Sequence, residues 1–203
     1  HTRFRNVTGV QTCALPIYAG EVRIFGRTTA DITDSTDWLA TLDRFGIVSE
    51  RAALLEPLTV VQNLAVPFSL DIEPPPPHIV SQASGLAAEA GILEAAWSRR
   101  VGDLEPSTRM RVRLGRALAF NPAVLLIEHP SAAVSREDVG PIGRDVRRLA
   151  ERRGMATLTL TADAACAAAM ASVVLTLEPA TGRLTDRKST RLNFSHVSES
   201  RMP

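Results

Sequence analysis

The sequence predicts an α/β domain with a mostly parallel sheet, on three observations. Strand-like and helix-like segments alternate along the chain. Residues 123–127 (AVLLI) are continuously apolar, the pattern of a parallel strand buried on both faces. Residues 136–153 follow with the periodicity of an amphipathic helix that ends at Gly154, as a crossover helix should.

The elements follow in order. Residues 21–25 (EVRIF) alternate into Gly26, a short strand and turn. Residues 45–48 (FGIV) form a second apolar run, and residues 59–68 are helix-like. Residues 71–78 (DIEPPPPH) predict a stiff extended linker, because successive prolines hold φ and remove donors. Residues 79–101 read as helical with a break near Gly91, and residues 107–120 as a helix capped by Ser107. Beyond Gly154 come a strand at 156–161 (ATLTLT), a small-residue helix at 163–171, a strand at 172–177 (SVVLTL) and a turn closed by Gly182.

The two ends carry a different signal. When residue i is set against residue 203 minus i, the ends admit complementary codons, from Ile17 with Asp186 out to His1 with Met202. Only Gly9 with Phe194 fails. Antisense codons share no side-chain chemistry, so the relation belongs to the DNA. VTGVQTCALPI and DRKSTRLNFSH resemble a translated sequencing-library adapter in its two orientations. Residues 1–17 and 186–203 are therefore expected to be non-native flanks around a natural segment, 18–185.

Setting the flanks aside changes the bulk properties. Of 23 Lys and Arg and 22 Asp and Glu, six basic and two acidic residues lie in the flanks, leaving 17 against 20 and a net charge of −3. The mild basicity of the whole chain thus gives no argument for nucleic acid. Arg109, Arg111, Arg113 and Arg116 lack interleaved aromatics and read as a solvated face. The only lysine is Lys188, in a flank. Cys166 is the one cysteine outside the flanks, so no internal disulfide is expected there. No apolar run is long enough to span a bilayer, and no His/Cys cluster has metal-ligand spacing.

LEPSTRMRVRLGRALAFNPAVLLIEHPSAAVS, residues 104–135, resembles the ATP-binding cassette ATPases that drive ABC transporters. It follows their order of signature loop, helix, Walker B strand and D-loop, with Arg111, Arg116, Ala117, Leu118, Pro122 and Pro130 as matching residue types. FGIVSERAALLEPLTVVQNLAVPF resembles the segment through the Q-loop, and AGEVRIFGR the strand and turn after the first helix. TLTLTADAACAAAMASVVLTLEPATGRL resembles the switch-histidine strand and those after it. The resemblance implies a P-loop NTPase-like, three-layer cassette core with a helical subdomain at about 74–120. It also implies an intact parent that uses ATP and Mg²⁺, pairs with a second ATPase subunit and docks on a membrane permease from the cytoplasmic side.

The family's phosphate cradle is a glycine-rich loop with a lysine. The resemblance places that loop about thirty residues before AGEVRIFGR, and only Tyr18 and Ala19 of the natural segment precede Gly20. The core is therefore expected to lack the Walker A strand, loop and helix, and no cofactor is expected for this chain. The sheet would then keep an unpaired edge and marginal stability.

Five surviving motifs depart from the family. Glu50 stands at the Q-loop glutamine, where it is either an oxygen ligand for Mg²⁺ or a solvated surface residue. Glu105, Pro106, Ser107 and Thr108 occupy the signature loop. Glu105 would oppose a phosphate by about 4 kcal/mol at ~4 Å and an effective dielectric of ~20, Pro106 removes an N–H, and Ser107 reads as a helix cap rather than a phosphate contact. Glu128 replaces the Walker B aspartate as a candidate Mg²⁺ position, and His129 replaces the Walker B glutamate as a candidate base or a strand-end residue. Ser135 stands at the D-loop aspartate, and Ala162, with no donor, at the switch histidine. Two readings remain open: a fragment of a working transporter ATPase whose chain here is inactive, or a non-hydrolysing subunit with a structural or regulatory role.

Overall fold

The computed structural model describes residues 21–186. The expected flanks at 1–17 and 186–203 lie outside the described residues except for Asp186, the last residue of the final strand. The chain divides into two compact units, His1–Leu42 and Asp43–Pro203.

In the first unit, β1 (Arg23–Ile24) pairs antiparallel with β2 (Arg27–Thr28). The strand expected over 21–25 is shorter because Phe25 and Gly26, at φ 49° and 81°, make the two-residue turn. Both left-handed positions match the twist of a tight hairpin. α1 (Ser35–Leu42) follows, an element the sequence pattern did not reveal. Asp34 Oδ2 accepts from the Asp37 amide at its start, and Arg27 holds the Asp37 carboxylate through two bonds of 2.9 and 2.7 Å.

The second unit carries a parallel sheet in the order β3 (Phe45–Val48), β4 (Val124–Glu128), β5 (Ala156–Leu160). Between β3 and β4 the chain builds α2 (Val60–Ala65), α3 (Pro77–Glu89) and α4 (Pro106–Ala117), and between β4 and β5 it builds α5 (Arg136–Arg153). After β5 come α6 (Ala164–Met170) and the antiparallel hairpin of β6 (Leu175–Glu178) with β7 (Arg183–Asp186).

Local caps fix three helix ends, of which the stop at Gly154 was expected. Thr59 caps α2 with a reciprocal Thr59–Gln62 capping box. α5 begins at Ser135, whose Oγ accepts from the Asp138 amide, and stops at Gly154 in the left-handed region at φ 62°.

Other local expectations are corrected. The proline run is extended only to Pro76, because Pro77 takes the first position of α3, where a missing N–H costs nothing and φ is already helical. The same effect moves the start of α4: Pro106 is its first residue, Glu105 sits at the N-cap without a side-chain bond, and Ser107 is not the cap. The helix expected over 79–101 ends at Glu89, with Gly91 at φ 74° and two short 3-10 turns beyond it, Glu94–Ala96 and Val101–Asp103.

β4 was expected to be buried on both faces, and it is not. Registered neighbours in a parallel pair point to the same side, so Val48, Leu125 and Ile127 share one face with Thr157 and Thr159. Ile47, Leu126, Leu158 and Leu160 share the other. Leu125 and Ile127 are at most 1% exposed, whereas Ile47, Leu158 and Leu160 are 52%, 56% and 53% exposed. Both crossovers step in the same direction across the sheet, and right-handed crossovers put their helices on one side. One face is therefore packed, and the other stays open.

The four arginines of α4 are also not a solvated row. Arg111 donates to the Ala90 carbonyl at 2.9 Å and to Asp145 at 2.6 Å, tying the end of α3 to α5. Arg109 bonds the Leu104 and Gly102 carbonyls, and Arg116 reaches the Ala53 carbonyl at 2.7 Å. Arg113 buries its Nε. Arg153 completes the pattern from α5, holding Glu89 and the Leu118 carbonyl at the ends of α3 and α4. A guanidinium with five donors satisfies several helix-end carbonyls at once, which favours these contacts over solvent.

Candidate functional site

Parallel strands end together, so β3, β4 and β5 deliver their following residues to one edge of the sheet: Ser49 and Glu50, then His129, then Thr161 and Ala162. The carboxyl edge of an open α/β sheet is where such folds bind ligands. Glu128 and His129, consecutive at the end of β4, and Ala162, which follows β5, are thereby brought to adjacent strand ends.

Glu128 closes β4 abreast of Leu160. Its Oε2 accepts a 2.8 Å bond from the Ser49 hydroxyl, and Ser49 is buried. The same hydroxyl oxygen accepts from the Arg51 amide at 3.2 Å, so it bridges the carboxylate to the start of the loop after β3. Ser49 was missed in the sequence, where a serine at a strand end carries no pattern. Pro106 lines a small cavity with Ser49, Glu50, Glu128 and His129, while Glu105, Ser107 and Thr108 do not line it. Glu50 itself is exposed.

The loop after Glu50 is held by Asn63, 0% exposed on α2. Its Oδ1 accepts from the Leu55 amide at 2.9 Å, and its Nδ2 donates to the Leu55 carbonyl at 2.9 Å and the Thr59 carbonyl at 3.0 Å. A buried amide with both ends satisfied fixes loop backbone that no regular element reaches. The signal for it was Asn63, next to the capping-box Gln62, in the otherwise apolar helix VVQNLA.

His129 is exposed and takes φ 46°, a strained region for a residue with a Cβ. Its amide donates to the Leu160 carbonyl at 2.8 Å, and its own carbonyl accepts from Ala132 at 3.0 Å. The chain therefore bends sharply out of β4 and turns the His129 side chain into a cleft of about 570 Å³. Ser131, Arg136, Thr161, Ala162 and Asp163 line the same cleft. Ala162 contributes only a methyl group there. Asp163 accepts from the Ala165 and Cys166 amides, at 2.8 and 3.0 Å, capping α6. The Cys166 amide bond chiefly, with that of Ala165, the Ser131 hydroxyl and the charge of Arg136, holds its carboxyl below the ordinary aspartate range. Ser135 is consumed as the cap of α5, with its hydroxyl 2.9 Å from Asp138 Oδ2.

Ser49 occupies one Glu128 oxygen, Pro106 supplies no N–H at the start of α4, and the first amides of α6 are taken by Asp163. Among the described residues no group of three or more His, Cys, Asp or Glu is placed to hold a metal ion. No described helix is long and apolar enough to cross a membrane.

No protein-family model matches the chain. Over 143 residues it is 32% identical to the sulfate/thiosulfate import ATP-binding protein CysA of Caulobacter vibrioides, covering 68% of this chain and 41% of that protein. It is 27% identical over 150 residues to the lipoprotein-releasing system ATP-binding protein LolD of Chromohalobacter salexigens, covering 74% of this chain and 62% of that one. The chain thus spans well under the full length of these curated relatives. Among solved structures, the dimeric ATP-binding cassette MJ0796 with ADP and phosphate superposes with a TM-score of 0.61 at 25% identity, over 75% of this chain and 66% of that one. The parallel sheet, the order of its strand ends and these likenesses agree: the chain belongs to the family of ATP-binding cassette ATPases of ABC transporters.

Proposed function

We propose that this chain is part of the ATP-binding subunit of an ABC transporter. Its intact parent binds ATP with Mg²⁺, pairs with a second ATPase subunit and couples from the cytoplasmic side to a membrane permease. The single observation that carries the reading is the convergence of Glu128, His129 and Ala162 on one sheet edge, in the order the family uses for its catalytic strand ends. In the parent, Glu128 and Glu50 are the oxygen donors available to Mg²⁺, and His129 is the one side chain at the Walker B glutamate position able to take a proton. Glu105 and Pro106 weaken the signature position, the one by its charge and the other by its missing N–H.

The second reading, a non-hydrolysing subunit with a structural or regulatory role, is favoured by Ala162, whose methyl group leaves the cleft without the switch donor. One experiment separates the two. The gene is extended upstream of Ala19 and the full subunit assayed for ATP turnover, alone and as E128Q and H129A. A G-x-x-x-x-G-K-[ST] loop with turnover that both substitutions abolish supports the first reading. Such a loop without turnover supports the second, and absence of the loop overturns both.

A further inference from the structure

Three of the four arginines on α4, Arg109, Arg111 and Arg116, are tied to backbone carbonyls, and Arg113 is the exception. Its Nε is buried and makes no hydrogen bond. A buried guanidinium N–H without an acceptor is costly, so it marks a place where an acceptor belongs. Arg113 borders a groove of about 370 Å³ lined entirely by residues of the second unit. The walls are apolar, with Leu54 from the loop after β3, Val66 from the end of α2, and Ala117 and Phe120 from the end of α4. Arg116 shares this lining, and burial pushes its pKa below the ordinary guanidinium value, a mark of how little water reaches the wall. No acidic side chain lines the groove, so neither cation meets a countercharge within it.

We propose that this groove binds a small free monocarboxylate whose hydrocarbon part carries an aromatic ring. The planar guanidinium of Arg113 presents paired donors that match a carboxylate better than a spherical anion, and a carboxylate oxygen supplies the acceptor that Nε lacks. Arg116 donates from Nη1 to the Ala53 carbonyl at 2.7 Å and adds its charge from the flank. Leu54, Val66 and Ala117 exclude water from the hydrocarbon. Phe120 makes an edge-to-face contact with Phe68 at a centroid distance of 6.4 Å, and its 61% exposure leaves ring surface for a ligand ring to pack against. Small-molecule pockets begin at roughly 300 Å³, and an apolar lining with one or two fixed charges is their usual chemistry. The volume takes one ring and a short chain, whereas a protein partner needs about 800 Å² of surface. The site is independent of the nucleotide reading. Arg113 also borders the small cavity of Glu50 and Glu128, so its loss alters that side too, and binding is best read on the ligand itself.

The test titrates the full chain with phenylpropionate in isothermal calorimetry, where saturable binding of one molecule per chain is expected. Phenylpropionamide, the neutral isostere, should bind about tenfold more weakly, the loss expected when a charge-assisted bond becomes a neutral one. Acetate, which has no ring, should not bind. Arg113→Met should weaken the acid by the same factor and leave the amide unchanged. Val66→Trp, which fills the groove and keeps both charges, should abolish binding of both. Arg144→Met, which removes an exposed cation on α5, should leave the acid's affinity as it was. No binding of the acid, equal affinity for acid and amide, or equal loss in Arg144→Met and Arg113→Met would overturn the proposal. So would capture of an acidic, leucine-rich peptide by a chain that ignores the free acid. Circular dichroism confirms that each variant is folded, and the comparison of acid with amide needs no substitution.

Discussion

The helical side of the second unit and its β5–β7 side use similar apolar residues to opposite effect. Between β3 and β4, Leu64, Val112 and Leu114 are at most 2% exposed, and arginines tie the helix ends together. On the other side Leu158, Leu175, Leu177 and Leu184 are each more than half exposed. The difference lies in cover, not composition. α2, α3 and α4 bury one another's apolar stripes, while the strands of the far side present leucines to a face that no crossover helix reaches.

The largest expected effect comes from opening the packed side. Leu64→Ala should lower stability by about 3 to 4 kcal/mol, because a fully enclosed leucine leaves a cavity. A urea-unfolding midpoint unchanged by it would show that the helical side is not the tighter region. Gly46→Val attacks the joint between β3 and α4, where a Cβ would lie 2.5 Å from the Ala117 carbonyl oxygen, a backbone atom that cannot swing aside. Overpacking against fixed backbone should cost about 3 kcal/mol, read from the same midpoint.

Arg153→Met should cost about 2 kcal/mol, since it strands the part-buried Glu89 carboxylate and the Leu118 carbonyl. The same pair carries a pH signature. The Arg153 guanidinium holds the Glu89 carboxyl below its ordinary value near 4.5. A depressed carboxyl stabilises the folded state above its unfolded value, and that stability disappears as pH falls below about 4.5 and through the folded value. Arg111 and Arg148 act in the same sense on Asp145, against the opposing pull of burial. Acid unfolding of Arg153→Met should therefore show a shallower loss below pH 4.5 than the wild-type chain. An identical profile would remove this pair from the account.

The smallest effect sharpens the comparison from the other side. Leu158→Ala should change stability by less than about 0.5 kcal/mol, read from the same midpoint, because its side chain is already half in water. A cost near that of Leu64→Ala would mean that the open face is covered in solution.

Much of this architecture was legible in the chain. Alternating apolar runs and breakers marked β3, β4, α5 and β5, and Gly154 marked the end of α5, because turn formation uses neighbours a few residues apart. The resemblance singled out Glu50, residues 105–108, Glu128, His129 and Ala162, and of these Glu128, His129 and Ala162 lie at one sheet edge, with Glu50 and Pro106 in the adjoining cavity. What stayed hidden was every partner set by distance in sequence. Ser49 and Glu128 are 79 residues apart, Arg153 and Glu89 64, and Arg111 and Asp145 34, and no local pattern announces such bonds. The cover of the sheet was equally hidden: AVLLI was read as buried on both faces and is fully buried on one, and ATLTL was read simply as a strand. Local propensity and capping act between neighbours and are written in the sequence itself. Which face is covered and which charge finds which carbonyl depend on the direction in which the crossovers run, and that exists only once the sheet has formed.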